Sequence, residues 1–440
     1  MPHSPETSNP RSSASRWRAL RPLRHRDYRL LIGAVALSIC GSGMWTIVLT
    51  FQVLAVDDSP TALSAVAACL SAGLLAFAIV GGIAADRCPR RAVLIMVELA
   101  NTVATAAVAV LGLSGAIQLW HLAVASAVLG AGSAFYYPAY TAFLPQILPP
   151  EELLAANGLE GALRPTMQAA LGPAIAGVIV GALFPAAGAV VVAALSASAL
   201  VLTVLVRPVE VPRPSAADEA RPGVLADLRA GVLFVLGTRW LLWTLLFAAL
   251  TSLVIMGPIE VLLPFVTRAR FDRGAEAFGL LLTAFGVGGA LGSLAMSSLR
   301  LPRRYLSAMV LLWGAGTLPL ALVGVTGSFP VMVAALFVVG ATSGAGLVIW
   351  GTLLQRRVPP AMMGRVASLD FFVSISLMPL SMALAGPVAS VVPIPVVFVV
   401  AAALPPVVAV LAVFAGAMPR DELAHPLDQP ADDSDAAAGA

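Results

Sequence analysis

Acidic side chains inside long apolar stretches are the residues of this 440-residue chain most able to do chemistry. Glu98, Glu160 and Glu260 each lie in such a stretch, and Arg164 follows Glu160 by four positions, which places both on one helix face where they can pair. Glu98 and Glu260 have no basic residue within one helical turn. A carboxylate in an apolar medium binds a proton more readily. The three acids, together with Arg164 as the partner of Glu160, are therefore candidates for proton coupling, with Glu260 first and Glu98 second. The alternative for each acid is a structural role or exposure to an aqueous cavity.

Several other kinds of site are excluded by residues that the chain lacks. It contains no lysine, so neither a Walker A phosphate-binding loop nor a Schiff-base mechanism is available. The four histidines and three cysteines are scattered along the sequence, which predicts no metal site and no disulfide framework. No nucleophile stands in a pattern with a base. The sequence therefore predicts a protein that is not an enzyme and has no cofactor.

The composition indicates an integral membrane protein. Hydrophobic residues make up 59% of the chain and charged residues 11%, whereas a soluble domain carries about 25% charged residues. The formal net charge of +3 is too small to indicate nucleic-acid binding. A membrane-spanning helix needs about 20 apolar residues. Twelve stretches meet this length and predict an all-α membrane fold: 29–56, 61–85, 92–114, 119–145, 155–183, 186–206, 239–266, 275–298, 304–325, 329–354, 365–390 and 394–417.

Arginine is distributed unevenly between the two sides of the predicted bundle. The N-terminal segment and the even-numbered connections between spans are rich in arginine, and the odd-numbered connections are nearly free of it. One exception is the connection between spans 7 and 8, which contains Arg268, Arg270 and Arg273. Arginine-rich connections stay in the cytoplasm. We therefore expect a multi-pass protein of the cytoplasmic (inner) membrane with both termini in the cytoplasm.

An internal repeat divides the chain into two halves. Glu160 and Asp370 each come ten residues after a Pro-Pro pair, and each is followed by a Gly-Pro pair. Repeats of this kind are typical of membrane proteins built from two related six-helix halves. The predicted segments are a disordered cytoplasmic N-terminus at 1–22, a first half at 23–206, a cytoplasmic linker at 207–238, a second half at 239–417 and a disordered cytoplasmic tail at 418–440.

Between spans 2 and 3, one carboxylate and three guanidiniums lie close together in the sequence Gly81-Gly82-Ile83-Ala84-Ala85-Asp86-Arg87-Cys88-Pro89-Arg90-Arg91. This spacing resembles the loop between helices 2 and 3 of the major facilitator superfamily, whose members have twelve spans in two halves and move small solutes by alternating access. The resemblance implies a cytoplasmic gate in which Asp86 caps the start of span 11, although a loop that only fixes topology is the alternative. The gate residues it implies are Gly82, Asp86, Arg87, Arg90, Arg91, Gly364, Arg365 and Asp370.

Span 5 carries a second family pattern. The sequence Leu171-Gly172-Pro173-Ala174-Ile175-Ala176-Gly177 resembles the Gly-Pro signature of exporters in the superfamily, where small residues pack spans 5 and 8 closely. Gly172, Pro173 and Gly177 match it, while Ala176 stands where many members have glycine. The segments Leu23-Arg24-His25-Arg26-Asp27-Tyr28-Arg29 and Pro149-Pro150-Glu151-Glu152-Leu153 narrow the resemblance to the enterobactin-exporter-like and macrolide-efflux-like branch.

That resemblance implies an antiporter that uses the proton gradient to export small amphipathic molecules of drug, macrolide or siderophore type. It would act as a monomer whose partners are the solute, protons and the lipid bilayer. Two alternatives stay open. One is a nutrient importer or uniporter on the same fold, and the other is a membrane sensor that does not transport.

The candidate solute surface is aromatic and weakly polar. Such a lining suits a bulky, partly apolar solute, whereas a sugar or peptide site needs more fixed hydrogen-bonding groups. An aromatic residue in a membrane helix is, however, more often a packing residue than a ligand contact. The candidates are Trp45, Gln52, Tyr136, Tyr137, Tyr140, Gln168, Trp350, Phe371 and Phe372.

Overall fold

A computed structural model describes residues 21–208, 224–299 and 302–426 of the chain. The described residues form helices and no strands, and twelve of the helical segments are long and apolar enough to cross a membrane. The prediction of an all-α membrane fold with twelve spans is therefore confirmed.

The twelve spans are numbered α1 to α12 in chain order, and their bounds follow the predicted ones closely. In the first half they are α1 (Arg26–Val56), α2 (Pro60–Arg87), α3 (Arg90–Leu113), α4 (Leu119–Ile147), α5 (Pro150–Arg164, Pro165–Leu171 and Gly172–Ala182) and α6 (Pro185–Leu205). In the second half they are α7 (Arg239–Gly257, Pro258–Leu262 and Leu263–Arg270), α8 (Gly274–Ser298), α9 (Tyr305–Ala315 and Leu320–Val325), α10 (Phe329–Arg357), α11 (Pro360–Ser376 and Met378–Val391) and α12 (Ile394–Ala415).

An even number of spans brings the start of α1 and the end of α12 to the same side of the bundle. We call this the terminal side and the opposite one the far side. Turns on the far side are short and have clear local causes. At the start of α2, for example, Pro60 occupies the first helical position and the Ser59 hydroxyl accepts a hydrogen bond of 3.1 Å from the Ala62 N–H.

Close packing at glycine is repeated in the two halves. A side-chain carbon added to Gly130 of α4 would overlap the backbone carbonyl of Leu70 in α2. In the second half, a carbon added to Gly340 of α10 would overlap the carbonyl of Phe285 in α8. Helices associate closely in a membrane where small residues let their backbones approach. The α2–α4 and α8–α10 pairs are therefore equivalent, which agrees with the two related halves expected from the sequence repeat.

Helices α5 and α11 are interrupted at equivalent places. A π-helical segment occupies Pro165–Leu171 in α5, and α11 breaks at Leu377 between its two helical parts. Proline lacks the N–H that would continue the helical ladder, and Pro165 and Pro379 stand at these two interruptions. A third interruption, Pro258–Leu262 in α7, is also π-helical and contains Glu260. Interruptions of the π-helical kind are frequent at functional sites.

Three of the described helices lie outside the spans, and the first is a short 3₁₀ helix at Arg21–Arg24. Val224–Gly237 is helical within the predicted linker. Met418–Ala424 forms a short helix where the sequence suggested a disordered tail, because its residues find partners at the terminal side of the second half. The buried Glu422 carboxylate accepts a hydrogen bond from the Ser307 N–H at the start of α9, and Asp421 pairs with Arg357 at 2.7 Å. The remaining parts predicted to be disordered, at 1–20 and 427–440, lie outside the described residues.

The three arginines that broke the charge pattern, on the far side between α7 and α8, each have a local partner. Arg268 forms an ion pair with Asp58, and Arg273 lies 3.3 Å from Glu276. Arg270 donates to backbone carbonyls at the end of α9, where unpaired carbonyls and the helix dipole favour a cation. These three arginines therefore have specific structural partners, which explain their presence on the far side.

Replacing Gly130 with alanine should destabilise the protein, because the added carbon meets the Leu70 carbonyl. We expect a loss of about 1 to 3 kcal/mol, as for other overpacked sites. Gly351→Ala is the matched control, since nothing lies within 4 Å of the added carbon and alanine favours the helix. Thermal unfolding in detergent measures both. Equal melting temperatures for the two variants would show that the α2–α4 approach is not tight.

Candidate functional site

A cavity of about 290 Å³ lies between the two halves. The first half supplies most of its lining from α1 to α5, and the second half contributes Glu260 from α7 with Met378 and Met382 from α11. The lining mixes aromatic, hydroxyl, amide and sulfur-containing side chains, a combination that can hold a bulky solute of mixed polarity. Both halves therefore contact whatever occupies this space.

The cavity is closed on the far side and opens toward the terminal side. Three lining residues in the far halves of their helices are buried: Trp45 and Leu63 each have 1% of their surface exposed and Thr50 has 3%. Tyr137, which lines the terminal part, is 53% exposed. Among these residues, exposure therefore rises toward the terminal side.

Packing between the halves explains the closure on the far side. Gly177 of α5 lies against Gly279 of α8, so closely that a side-chain carbon on either would press on the other backbone. On the opposite flank, the Gly386 N–H of α11 donates to the Ser64 hydroxyl of α2 at 2.6 Å. The exposed Asp58–Arg268 ion pair also joins the two halves on this side. Small residues thus let α5–α8 and α2–α11 seal the far end of the cavity.

The span-5 pattern faces two neighbours. Gly177 packs on α8, as the family resemblance implied, whereas Gly172 packs on Cys40 and Gly43 of α1. Pro173 also meets α8, because a carbon added to Gly279 would overlap its backbone carbonyl. The pattern therefore fixes α5 between its own half and the other half.

Glu160 and Arg164 form the ion pair that their spacing predicted. Arg164 Nη2 lies 2.8 Å from Glu160 Oε1, and Glu160 is 8% exposed. The guanidinium also stacks on the Tyr137 ring, with Cζ 5.3 Å from the ring centroid. Arg164 lines the cavity and Glu160 lies behind it. The positive charge at this wall is thus already neutralised and partly covered.

Glu260 lines the cavity from the π-helical segment of α7. The Gly257 N–H, just before this segment, donates to the Ser381 hydroxyl of α11 at 2.8 Å, which holds the interrupted helix in place. Within the part of the chain that the structure describes, no basic side chain pairs with Glu260. A carboxylate in this position is costly unless it binds a proton or a cation.

Glu98 lies in the wall behind the cavity and is completely buried. Ser38 and Tyr136 are its polar neighbours, but neither carboxylate oxygen makes a hydrogen bond of good geometry with a described residue. Two lining residues, Tyr136 and Asn101, also have buried polar atoms. The Tyr136 hydroxyl and the side-chain amide oxygen of Asn101 make no hydrogen bond of good geometry with a described residue. Several buried polar groups of this wall therefore have no hydrogen-bond partner among the described residues.

The solute-surface candidates divide into two groups. Trp45, Tyr136, Tyr137 and Gln168 line the cavity. The others lie elsewhere: Gln52 and Tyr140 are buried in the first half, Trp350 donates to Asp370 at 2.9 Å within the second half, and Phe371 and Phe372 are half-exposed outside the cavity lining.

Sequence reasoning did not identify several lining residues. A signal for part of this set exists, because Ser38, Ser42, Trp45 and Leu49 follow one another at intervals of three and four along α1 and so share a face. The missed residues that bring polar or sulfur groups to the lining are Ser38, Ser42, Thr46, Thr50, Asn101, Ser133, Met378 and Met382.

The predicted cytoplasmic gate stays a prediction, because the side chains of Gly82, Asp86, Arg87 and Gly364 lie outside the described residues. The hydrogen bonds described for Arg91 and Asp370 lie within their own halves. Arg91 donates to the Val204 and Val206 carbonyls at the end of α6, each at 2.7 Å, and the buried Nε of Arg90 makes no hydrogen bond with a described residue. Arg365 lies 3.4 Å from the Met362 sulfur, and Asp370 accepts from Trp350 and Ser374.

Residues 17–432 match the transmembrane secretion effector family. The chain belongs to this family of major facilitator transporters. Macrolide efflux protein A of Streptococcus pyogenes is 22% identical to this transporter over 323 residues, which are 71% of the chain and 78% of that protein. The multidrug efflux pump Tap of Mycolicibacterium fortuitum is 28% identical over 377 residues, 82% of the chain and 88% of that protein.

Solved structures share the fold of the transporter. The nucleoside transporter NupG superimposes with a TM-score of 0.71 at 13% identity, over 89% of this chain and 98% of that one. A bacterial homologue of the iron transporter ferroportin, in an inward-facing state, gives a TM-score of 0.67 at 20% identity over the same shares. The family match over residues 17–432 confirms the resemblance seen in the sequence, and the chain is a transporter rather than an enzyme.

Glu160→Gln should destabilise the transporter because it leaves Arg164 without its counter-charge. We expect a loss of about 1 to 2 kcal/mol, reduced by the partial exposure of Arg164. The double variant Glu160→Gln with Arg164→Gln should lose less, since no unpaired charge remains. Thermal unfolding in detergent is measured for Glu160→Gln, for Arg164→Gln and for the double variant. The difference between the double effect and the sum of the single effects gives the coupling. Simple addition of the two single effects would contradict a coupled pair.

Proposed function

We propose that this transporter exports small amphipathic molecules across the cytoplasmic membrane in exchange for protons, by alternating access. The observation that supports the proposal best is the cavity between two equivalent halves, closed on the far side, with Glu260 in its lining and Glu98 behind it. Rocking of the halves about such a cavity would expose it first to one side and then to the other. We also propose that a single copy of the chain completes this cycle.

The direction of transport is inferred from the relatives and from the charge pattern. The arginine-rich terminal side fits the cytoplasm, which would make the observed state open to the cytoplasm. The names of the relatives in Streptococcus pyogenes and Mycolicibacterium fortuitum describe efflux. The fold alone does not set the direction, since a D-xylose-proton symporter shares it with a TM-score of 0.66. An importer on the same fold is therefore the rival, and it predicts uptake into cells.

Proton coupling is inferred from the two carboxylates. Glu260 and Glu98 have no basic partner among the described residues, and an uncompensated carboxylate in a low-dielectric site favours the protonated form. When the cavity opens outward, protonation would neutralise the site and favour release of the solute. Deprotonation on the cytoplasmic side would prepare it for the next solute molecule.

Neutralising the proton-carrying residue should abolish the response of transport to the pH gradient. Glu98→Gln and Glu260→Gln are reconstituted in vesicles and compared with Asp272→Asn, an exposed acid outside the cavity lining. Uptake of ethidium and of a radiolabelled macrolide is measured with and without an imposed pH gradient. We expect at least one glutamate variant to lose the response to the gradient, because a glutamine cannot bind and release the proton. If both variants respond like Asp272→Asn, neither carboxylate couples transport to protons.

Breaking the Asp58–Arg268 ion pair should favour opening of the far side. The pair is exposed, so Asp58→Asn is expected to change the balance by only about 0.5 kcal/mol. The readout is alkylation of a Leu63→Cys probe by a membrane-impermeant reagent added on the far side, in a variant lacking Cys40, Cys69 and Cys88. Labelling should become about twofold faster at this free energy and return toward the original rate in Asp58→Arg with Arg268→Asp. Unchanged labelling in Asp58→Asn would show that the pair does not hold this side closed.

A further inference from the structure

Only two charged side chains line the described cavity, and they are not equivalent. Arg164 has its counter-charge in Glu160 at 2.8 Å, and the Tyr137 ring covers one face of its guanidinium. Glu260 faces the cavity with no basic partner among the described residues. The lining therefore presents one carboxylate that has no counter-charge among the described residues.

The neutral part of the lining suits the body of an organic cation. Trp45 and Tyr136 bring aromatic side chains to the lining, and an aromatic face attracts a cation held near it, whereas the Tyr137 ring already holds Arg164. Met378 and Met382 flank the second-half side of the cavity with flexible, polarisable side chains that adapt to different shapes. Aromatic and thioether surfaces also remove the apolar part of a ligand from water.

We propose that the cavity selects amphipathic cations and that Glu260 pairs with the cationic centre of the solute. The inference rests on the proposed transport function and names its substrate class. A charge buried in a protein needs a counter-charge, and a bound cation supplies the one that Glu260 lacks. Anionic solutes, including siderophores in their charged forms, are disfavoured, because they would meet Glu260 while Arg164 is already occupied by Glu160.

Three probes of similar aromatic content test the charge preference without altering the protein. Tetraphenylphosphonium is a cation, tetraphenylborate is an anion of nearly the same shape, and triphenylphosphine oxide is neutral. Purified full-length transporter in detergent is titrated with each probe, and binding is measured by equilibrium dialysis. We expect the cation to bind at least about tenfold more tightly than either of the others, the effect of one incompletely screened ion pair. Equal affinities, or preference for the borate, would overturn the proposal.

Variants then locate the preference. Glu260→Gln should lose about tenfold or more in affinity for tetraphenylphosphonium and little for triphenylphosphine oxide. Glu260→Asp should keep part of the preference, and Asp272→Asn, an exposed acid outside the lining, should keep all of it. Retention of the cation preference in Glu260→Gln would assign it to other residues and overturn the role of Glu260. Retained binding of the neutral probe shows that the variant is folded.

The test separates failure of this inference from failure of the proposed function. Gradient-driven transport of a neutral amphipathic solute, without any preference for the cation, would leave proton-coupled export standing and remove the substrate class. A cation preference in binding without gradient-driven transport would leave the charge selectivity standing and remove the coupling.

Discussion

The feature on which this transporter depends most is a carboxylate placed between its halves without a counter-charge. Burying a charge in a low-dielectric region is costly unless a proton, a cation or a hydrogen-bond network compensates it. The first half solves this problem internally at Glu160, which pairs with Arg164. The second half leaves Glu260 uncompensated at the cavity surface. A group that must find its partner outside the protein is a natural place to couple a solute to a proton.

Close helix packing is the second constraint, since it decides where the cavity can open. At the far side α5 meets α8 through Gly177 and Gly279, and α2 meets α11 beside Gly386. Without side chains the backbones approach closely at these positions, which closes this end of the cavity. An exposed ion pair such as Asp58–Arg268 contributes little free energy, but its geometry helps to orient one half relative to the other. The far end is thus closed by the fit of the helices, and no single interaction contributes much to the closure. Such an arrangement suits reversible opening.

Much of the fold follows from the sequence because its causes are local. A span of about 20 apolar residues reflects the bilayer thickness, and prolines such as Pro60 mark where helices begin. The Glu160–Arg164 pair depends only on helical spacing and was predictable for that reason. Which direction Gln52 or Trp350 faces depends on how neighbouring helices are rotated, and the spacing of a single helix does not determine this. Asn101 was not predicted as a lining residue for the same reason, because it reaches the cavity only where α1, α3 and α4 together form one wall.

The three arginines of the connection between α7 and α8 show how partners change the meaning of a charge. From the sequence alone, these arginines oppose the orientation that the other connections indicate. In the structure Arg270 satisfies carbonyls at the end of α9, and Arg268 reaches across to Asp58 in the other half. A charge that is paired on the far side serves packing or closure and carries little information about topology. The uncompensated charge of Glu260 is the opposite case, because its missing partner points to what the cavity receives.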